Sequence, residues 1–164
     1  MAESIRIAPA QAADLPLILS LIRELAEFER LLDQVTASEE QLKESLFGER
    51  SFAEVIIARI GDEAAGFALF FHNYSTFIAK PGIYLEDLYV RPAFRGHGCG
   101  KALLCHLAKL AVERRCGRLE WSVLDWNQRA IDFYESLGAR ALDEWTMYRV
   151  TGKALLELAQ SEMG

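Results

Sequence analysis

Apolar positions along this chain switch several times between a period of two and a period near 3.6, and each switch predicts a change of element. Ile5-Arg6-Ile7 alternates as a short strand. Asp14 can cap a first helix with Pro16 in its opening turn, and Leu15, Ile18, Ile22 and Leu25 recur at helical spacing as far as Phe28-Glu29. Ser38 and Gln41 have the spacing of a capping box, which predicts a second, shorter helix ending at Gly48. Ala53 to Ile60 and Ala65 to His72 are β-branched or aromatic runs joined by Gly61-Asp62-Glu63, a hairpin signal. The polar stretch from Asn73 to Gly82 predicts a loop, and Ile83 to Val90 another long strand. A third helix reaches about Arg115 with Leu103, Leu107 and Leu110 inward. A strand through Leu119, Trp121 and Val123 follows, then a helix capped by Asn127 that carries Ile131, Tyr134 and Leu137. Ala139 to Leu142 and Trp145 to Val150 read as a final pair of strands, and residues 153–160 as a short terminal helix.

The order β-α-α-β-β-β-α-β-α-β-β predicts an α/β fold with a mixed, mainly antiparallel central sheet flanked by helices. A length of 164 residues without repeat, low-complexity segment or linker fits a single domain over residues 1–164.

Between the long strand and the third helix lies Val90-Arg91-Pro92-Ala93-Phe94-Arg95-Gly96-His97-Gly98-Cys99-Gly100-Lys101. Glycines at 96, 98 and 100 remove side chains that would hold a ligand off the backbone. N–H groups at a helix start, with the positive end of the helix dipole, make an anion site. Arg91, Arg95 and Lys101 add charge beside it. A nucleotide P-loop is excluded, because Arg95 and Ala102 stand where Gly and Ser or Thr are needed. The dinucleotide fingerprint is likewise not completed after Gly96 and Gly98.

Composition narrows the picture in three ways. A net charge of −6 argues against general nucleic-acid binding and is compatible with a cationic small substrate. No apolar run approaches the ~20 residues of a membrane span, and the chain opens without a secretory pattern, so a cytoplasmic protein is expected. Cys99, Cys105 and Cys116 lack Cys-x-x-Cys spacing and do not combine with histidines in a zinc pattern. They read as buried fillers, and no metal site is expected.

Arg-Gly-x-Gly-x-Gly after a strand resembles the pyrophosphate loop of the GNAT superfamily of N-acetyltransferases. The element order is also that of the GNAT fold. Tyr84-Leu85-Glu86-Asp87-Leu88-Tyr89-Val90, Val123-Leu124-Asp125-Trp126-Asn127-Gln128-Arg129-Ala130, Phe133-Tyr134 and Leu137-Gly138-Ala139 are similar to the spermidine/spermine N-acetyltransferase group, and most of all to its thialysine branch. The resemblance implies acetyl-CoA as donor, direct transfer to the primary amine of a small lysine-like or diamine substrate, and a homodimer. The alternatives are a polyamine acetyltransferase and a catalytically silent acyl-CoA-binding regulator.

Acetyl transfer needs a neutral amine and a proton for the departing thiolate. Alkylamines have pKa values of roughly 10.4, so a base must take a proton first. Strict alternation puts Leu85, Asp87 and Tyr89 on one face of their strand and Tyr84, Glu86 and Leu88 on the other, so one carboxylate points inward; the resemblance selects Glu86 as the base. A phenol holds its proton at neutral pH, and the resemblance gives Tyr134 the proton-donor role. It further implies donor binding by the backbone of Leu88, Tyr89 and Val90, by the loop residues Arg95, Gly96, His97, Gly98, Cys99, Gly100 and Lys101, and by Asn127, Ala130 and Tyr134. Phe28, Glu29, Glu86, Glu120, Trp121 and Ser122 match substrate-contacting positions. The polyamine pattern is broken at Ser75 and Phe77, where the polyamine enzymes carry an acid and a tryptophan.

Overall fold

The computed structural model describes residues 3–161. The chain divides into two compact units, Met1–Leu124 and Asp125–Gly164.

The first unit holds a five-stranded sheet in the order β1-β2-β3-β4-β5. Its strands are β1 (Ile5–Pro9), β2 (Glu54–Ile60), β3 (Glu63–Ser75), β4 (Lys80–Val90) and β5 (Leu119–Trp121). The first four pair antiparallel and β5 runs parallel to β4. This is the predicted fold class. Helices α1 (Leu15–Phe28) and α2 (Glu39–Phe47) separate β1 from β2, and α3 (Cys99–Glu113) separates β4 from β5.

Local chemistry accounts for the helix limits. Pro16 sits in the first turn of α1, where a missing N–H costs nothing. The capping box of α2 forms as read: Gln41 N donates to Ser38 Oγ over 3.2 Å, and Ser38 N donates to Gln41 Oε1 over 2.9 Å. One face of the sheet is closed by α1, whose Ile18 and Leu21 are fully buried with Phe67 of β3, Ile57 of β2 and Tyr89 of β4. On the other face α3 lies against β4, β3 and β1 with Leu103 and Leu107 inaccessible to water. Burying each such side chain contributes about 1.5–3 kcal/mol.

The hairpin between β3 and β4 is longer than its composition suggested. The stretch 73–82 is mostly ladder, with Asn73 opposite Gly82, Tyr74 opposite Pro81 and Ser75 opposite Lys80. Pro81 is tolerated because β5 pairs only with Ile83, Tyr84 and Leu85, which leaves the proline's other side free of a ladder.

The second unit contains α4 (Gln128–Ser136) and α5 (Gly152–Gln160). The predicted strands at 139–142 and 145–150 do not form; both segments are irregular. Alternation makes a segment fit for a ladder without guaranteeing a pairing, and Trp145, Met147, Tyr148 and Val150 are all exposed. Among the described residues no helix is long and apolar enough to cross a membrane.

Candidate active site

β4 carries the feature that sequence alternation could not show. Leu85 pairs with Phe70 and Asp87 with Leu69, so Glu86 is the extra residue of a bulge. Facing residues of a ladder share a face, and one inserted residue exchanges the faces beyond it. Leu85 and Asp87, expected on the same face, therefore lie on opposite faces. Asp87 joins Tyr84 and Tyr89 on the side covered by α1, while Glu86 is exposed at the bulge.

The environment of Asp87 shifts its proton equilibrium. Loss of water, with the nearby Glu86 and Glu29 charges acting in the same sense, raises its pKa from 3.8 to about 6. Glu29, half-buried at the end of α1, is also raised by burial. Two acids from β4 and one from α1 thus share one electrostatic neighbourhood.

The next strand continues this face. Glu120 of β5 accepts a 3.2 Å hydrogen bond from Asn73 Nδ2, and Ser122 Oγ lies 2.8 Å from Tyr84 Oη. Asn73 and Tyr84, not singled out from sequence, hold the two candidate polar groups in place. Their signal was present only as register, since Tyr84 faces Glu120 across the parallel pair. Trp121, opposite Leu85, points to the α3 face instead.

At the end of β4 the loop has the geometry its glycines require. Gly96 and Gly98 have φ of +82° and +86°, which disfavours side-chain-bearing residues, and a Cβ at either would meet no atom within 4 Å. Open space therefore borders the backbone there. Gly98 is the N-cap of α3, so the N–H groups of Cys99, Gly100 and Lys101 have no partner within the helix. His97 and Lys101 are exposed beside them.

Three charges and thiols behave differently from their sequence reading. Arg91 is committed to α1: its Nε donates to Glu24 Oε2 over 3.1 Å and Nη1 donates to the Ala64 carbonyl. Arg95 turns its guanidinium toward the Phe28 and Tyr89 rings. Cys99 is buried as expected, with its thiol pushed up by desolvation, whereas Cys105 is exposed because it lies on the outer side of α3.

In the second unit Asn127 caps α4, its Oδ1 accepting from Ala130 N over 3.3 Å. Tyr134, two turns along the same helix, is half-buried with its ring 5.7 Å from that of Phe133. Asn127, Ala130 and Tyr134 thus belong to a single capped helix.

Known proteins are similar to this chain. The chain is 42% identical to thialysine N-epsilon-acetyltransferase of Bos taurus over 94% of its own length and 97% of that protein. It is 36% identical to an L-ornithine N5-acetyltransferase of Arabidopsis thaliana, covering 92% of this chain and 86% of that one. Among solved structures, an integron cassette protein from the mobile metagenome of V. cholerae superposes with a TM-score of 0.80 at 33% identity, covering 96% of this chain and 99% of the other. Residues 19–139 match the acetyltransferase (GNAT) family, and with a sheet, glycine loop and capped α4 of this form the chain belongs to that family of N-acetyltransferases.

Proposed function

We propose that this protein transfers the acetyl group of acetyl-CoA directly to the side-chain amine of a small, lysine-like substrate such as thialysine. The observation that carries the amine side is the bulge of β4, which exposes Glu86 next to the half-buried Asp87 and the acid at the end of α1. A cationic amine is attracted by such a set, and the exposed Glu86 would take a proton from it, directly or through water. Glu120 and Ser122 extend the polar face.

The donor side is supported by the positive-φ glycines and the unpartnered N–H groups at the start of α3, which suit a pyrophosphate. Gly96 to Lys101 would hold it, with the β4 backbone at Leu88, Tyr89 and Val90 alongside the pantetheine amides; donor binding by Asn127 and Ala130 is implied by the family resemblance alone. Bound there, acetyl-CoA supplies an activated acyl group. Tyr134 keeps a phenolic proton for the leaving sulfur. Cys99, buried in the loop, is not an acyl carrier in this reading.

Both compact units are read as parts of one GNAT domain, because the family match runs across their boundary. A homodimer is part of the same reading, implied by the family resemblance. Incubation with acetyl-CoA and thialysine, ornithine or spermidine, followed by free thiol and product mass, tests the proposal. Thiol release and a mono-acetylated thialysine are expected; no release with any primary amine contradicts it.

A further inference from the structure

The side chain of Arg95 belongs to the loop by sequence but not by contact. Its guanidinium carbon lies 5.0 Å from the centre of the Phe28 ring and 5.7 Å from that of Tyr89, while Nε donates to the Val90 carbonyl over 2.9 Å. The guanidinium therefore links the end of β4 to the end of α1. Tyr89 is buried, whereas Phe28 is 40% exposed.

The end of α1 benefits from an external tie. Arg30, two residues after Phe28, has φ of +62°, a left-handed conformation that glycine adopts more readily than arginine. The last turn closes through Leu31 N to Ala26 O and Arg30 N to Glu27 O, with Phe28 and Glu29 immediately before the left-handed Arg30. A cation over the Phe28 face fixes the ring there, and Glu29 follows it in the chain.

We propose that Arg95 is a positioning residue for the amine, a clamp within the donor-binding loop that sets the place of Phe28 and Glu29. This rests on the proposed function for the identity of the two sides. Arginine suits the role in a way lysine does not, because the contact needs a flat cation that stacks while its Nε donates to a carbonyl. The consequence is specific: disturbing Arg95 changes how well the amine is held more than how well the donor is held.

The test compares Arg95→Lys, Arg95→Gln, Phe28→Leu, Phe28→Tyr and the Arg95→Lys/Phe28→Leu double variant. Thialysine KM and kcat are measured at saturating acetyl-CoA, and CoA affinity by calorimetry. Arg95→Lys and Phe28→Leu should each raise thialysine KM about 3- to 10-fold, the size of one partly exposed cation–π contact. CoA affinity and kcat should stay within about twofold, and the double variant should be no worse than the poorer single one. Phe28→Tyr, which keeps the ring, should restore the wild-type KM, and it keeps the test decisive should Arg95 variants fail to fold. The clamp is overturned by an unchanged amine KM in Arg95→Lys and Phe28→Leu, or by additive effects in the double variant. It is equally overturned if Arg95→Gln weakens CoA more than about tenfold and Arg95→Lys restores it, since charge on the phosphates would then be its role. A wild-type protein that neither binds CoA nor acetylates thialysine instead sinks the proposed function, and the clamp with it.

Discussion

Residues that shape the donor-side loop all lie in one short stretch, 91–101, whereas the proposed amine side draws Phe28 and Glu29 from α1, Glu86 and Asp87 from β4, and Glu120 and Ser122 from β5. The first is a local code. Its glycines are required by backbone angles at their own positions, and its N–H groups are left open by the start of a helix. The second is assembled by sheet register, and a single bulge at Glu86 decides which carboxylates meet. A site of the first kind is expected to fail when one residue changes its own backbone. A site of the second kind is expected to shift by degrees.

The largest effect should belong to neither binding side. Tyr134→Phe keeps the ring and removes one proton donor, so kcat should fall on the order of 10²-fold. CoA affinity and amine KM should stay close to the wild type. Steady-state kinetics with calorimetry on the same preparation checks this. A wild-type kcat would mean that water or another group protonates the leaving sulfur.

On the donor side Gly98→Asn gives a cleaner break than a bulky β-branched residue. Asparagine tolerates positive φ, so the turn can persist while a side chain enters the space that is open above the loop. CoA affinity should drop about tenfold or more, roughly the 1.4 kcal/mol that one lost close contact amounts to, with a small change in Tm. Unchanged affinity in a folded variant would remove the pyrophosphate from this loop.

On the amine side Asp87→Asn should act through protons. The folded-state pKa of Asp87, about 6, lies above its ordinary 3.8. Between those values the folded chain holds a proton the unfolded chain has released, so this residue's contribution to stability falls as pH rises from about 4 to about 6. Asparagine stays neutral throughout. Asp87→Asn should therefore raise Tm at pH 7 by about 2–5 °C, from about 1–2 kcal/mol after solvent screening, and the gain should vanish near pH 4. An equal gain at both pH values would assign the effect to packing.

Sequence and structure agree where short-range rules act. The Ser38 capping box, the Asn127 cap, Pro16 in the first turn of α1 and the glycine turn are each set within a few residues, whereas Asp14 does not cap α1 and gives its carboxylate to Gln11 N and Arg59. They part where the outcome depends on a neighbour. Strict alternation placed Asp87 with Leu85, and the bulge separated them. Polar composition called residues 73–82 a loop, yet the adjoining strand continued the ladder through Asn73 and Gly82. Residues 145–150 have the alternation of a strand but form no ladder. Charge read from sequence was the least reliable guide to contact: Arg91 and Arg95 lie in the loop, but their side chains serve α1 and the aromatic wall.

Acetyl transfer to a short lysine-like amine predicts the outcome of a competition between two amines. Equimolar thialysine and spermidine are offered with limiting acetyl-CoA, and the ratio of acetylated products gives the ratio of kcat/KM. A long polycation needs acidic or aromatic contacts spread along its length. Here Ser75 carries no charge, and Phe77 stands 97% exposed at the hairpin tip as a weaker cation–π partner than tryptophan. Losing one such contact is worth ~0.5–2 kcal/mol, so acetyl-thialysine should dominate by a few-fold to about thirtyfold. A product mixture dominated by acetylspermidine would contradict the account.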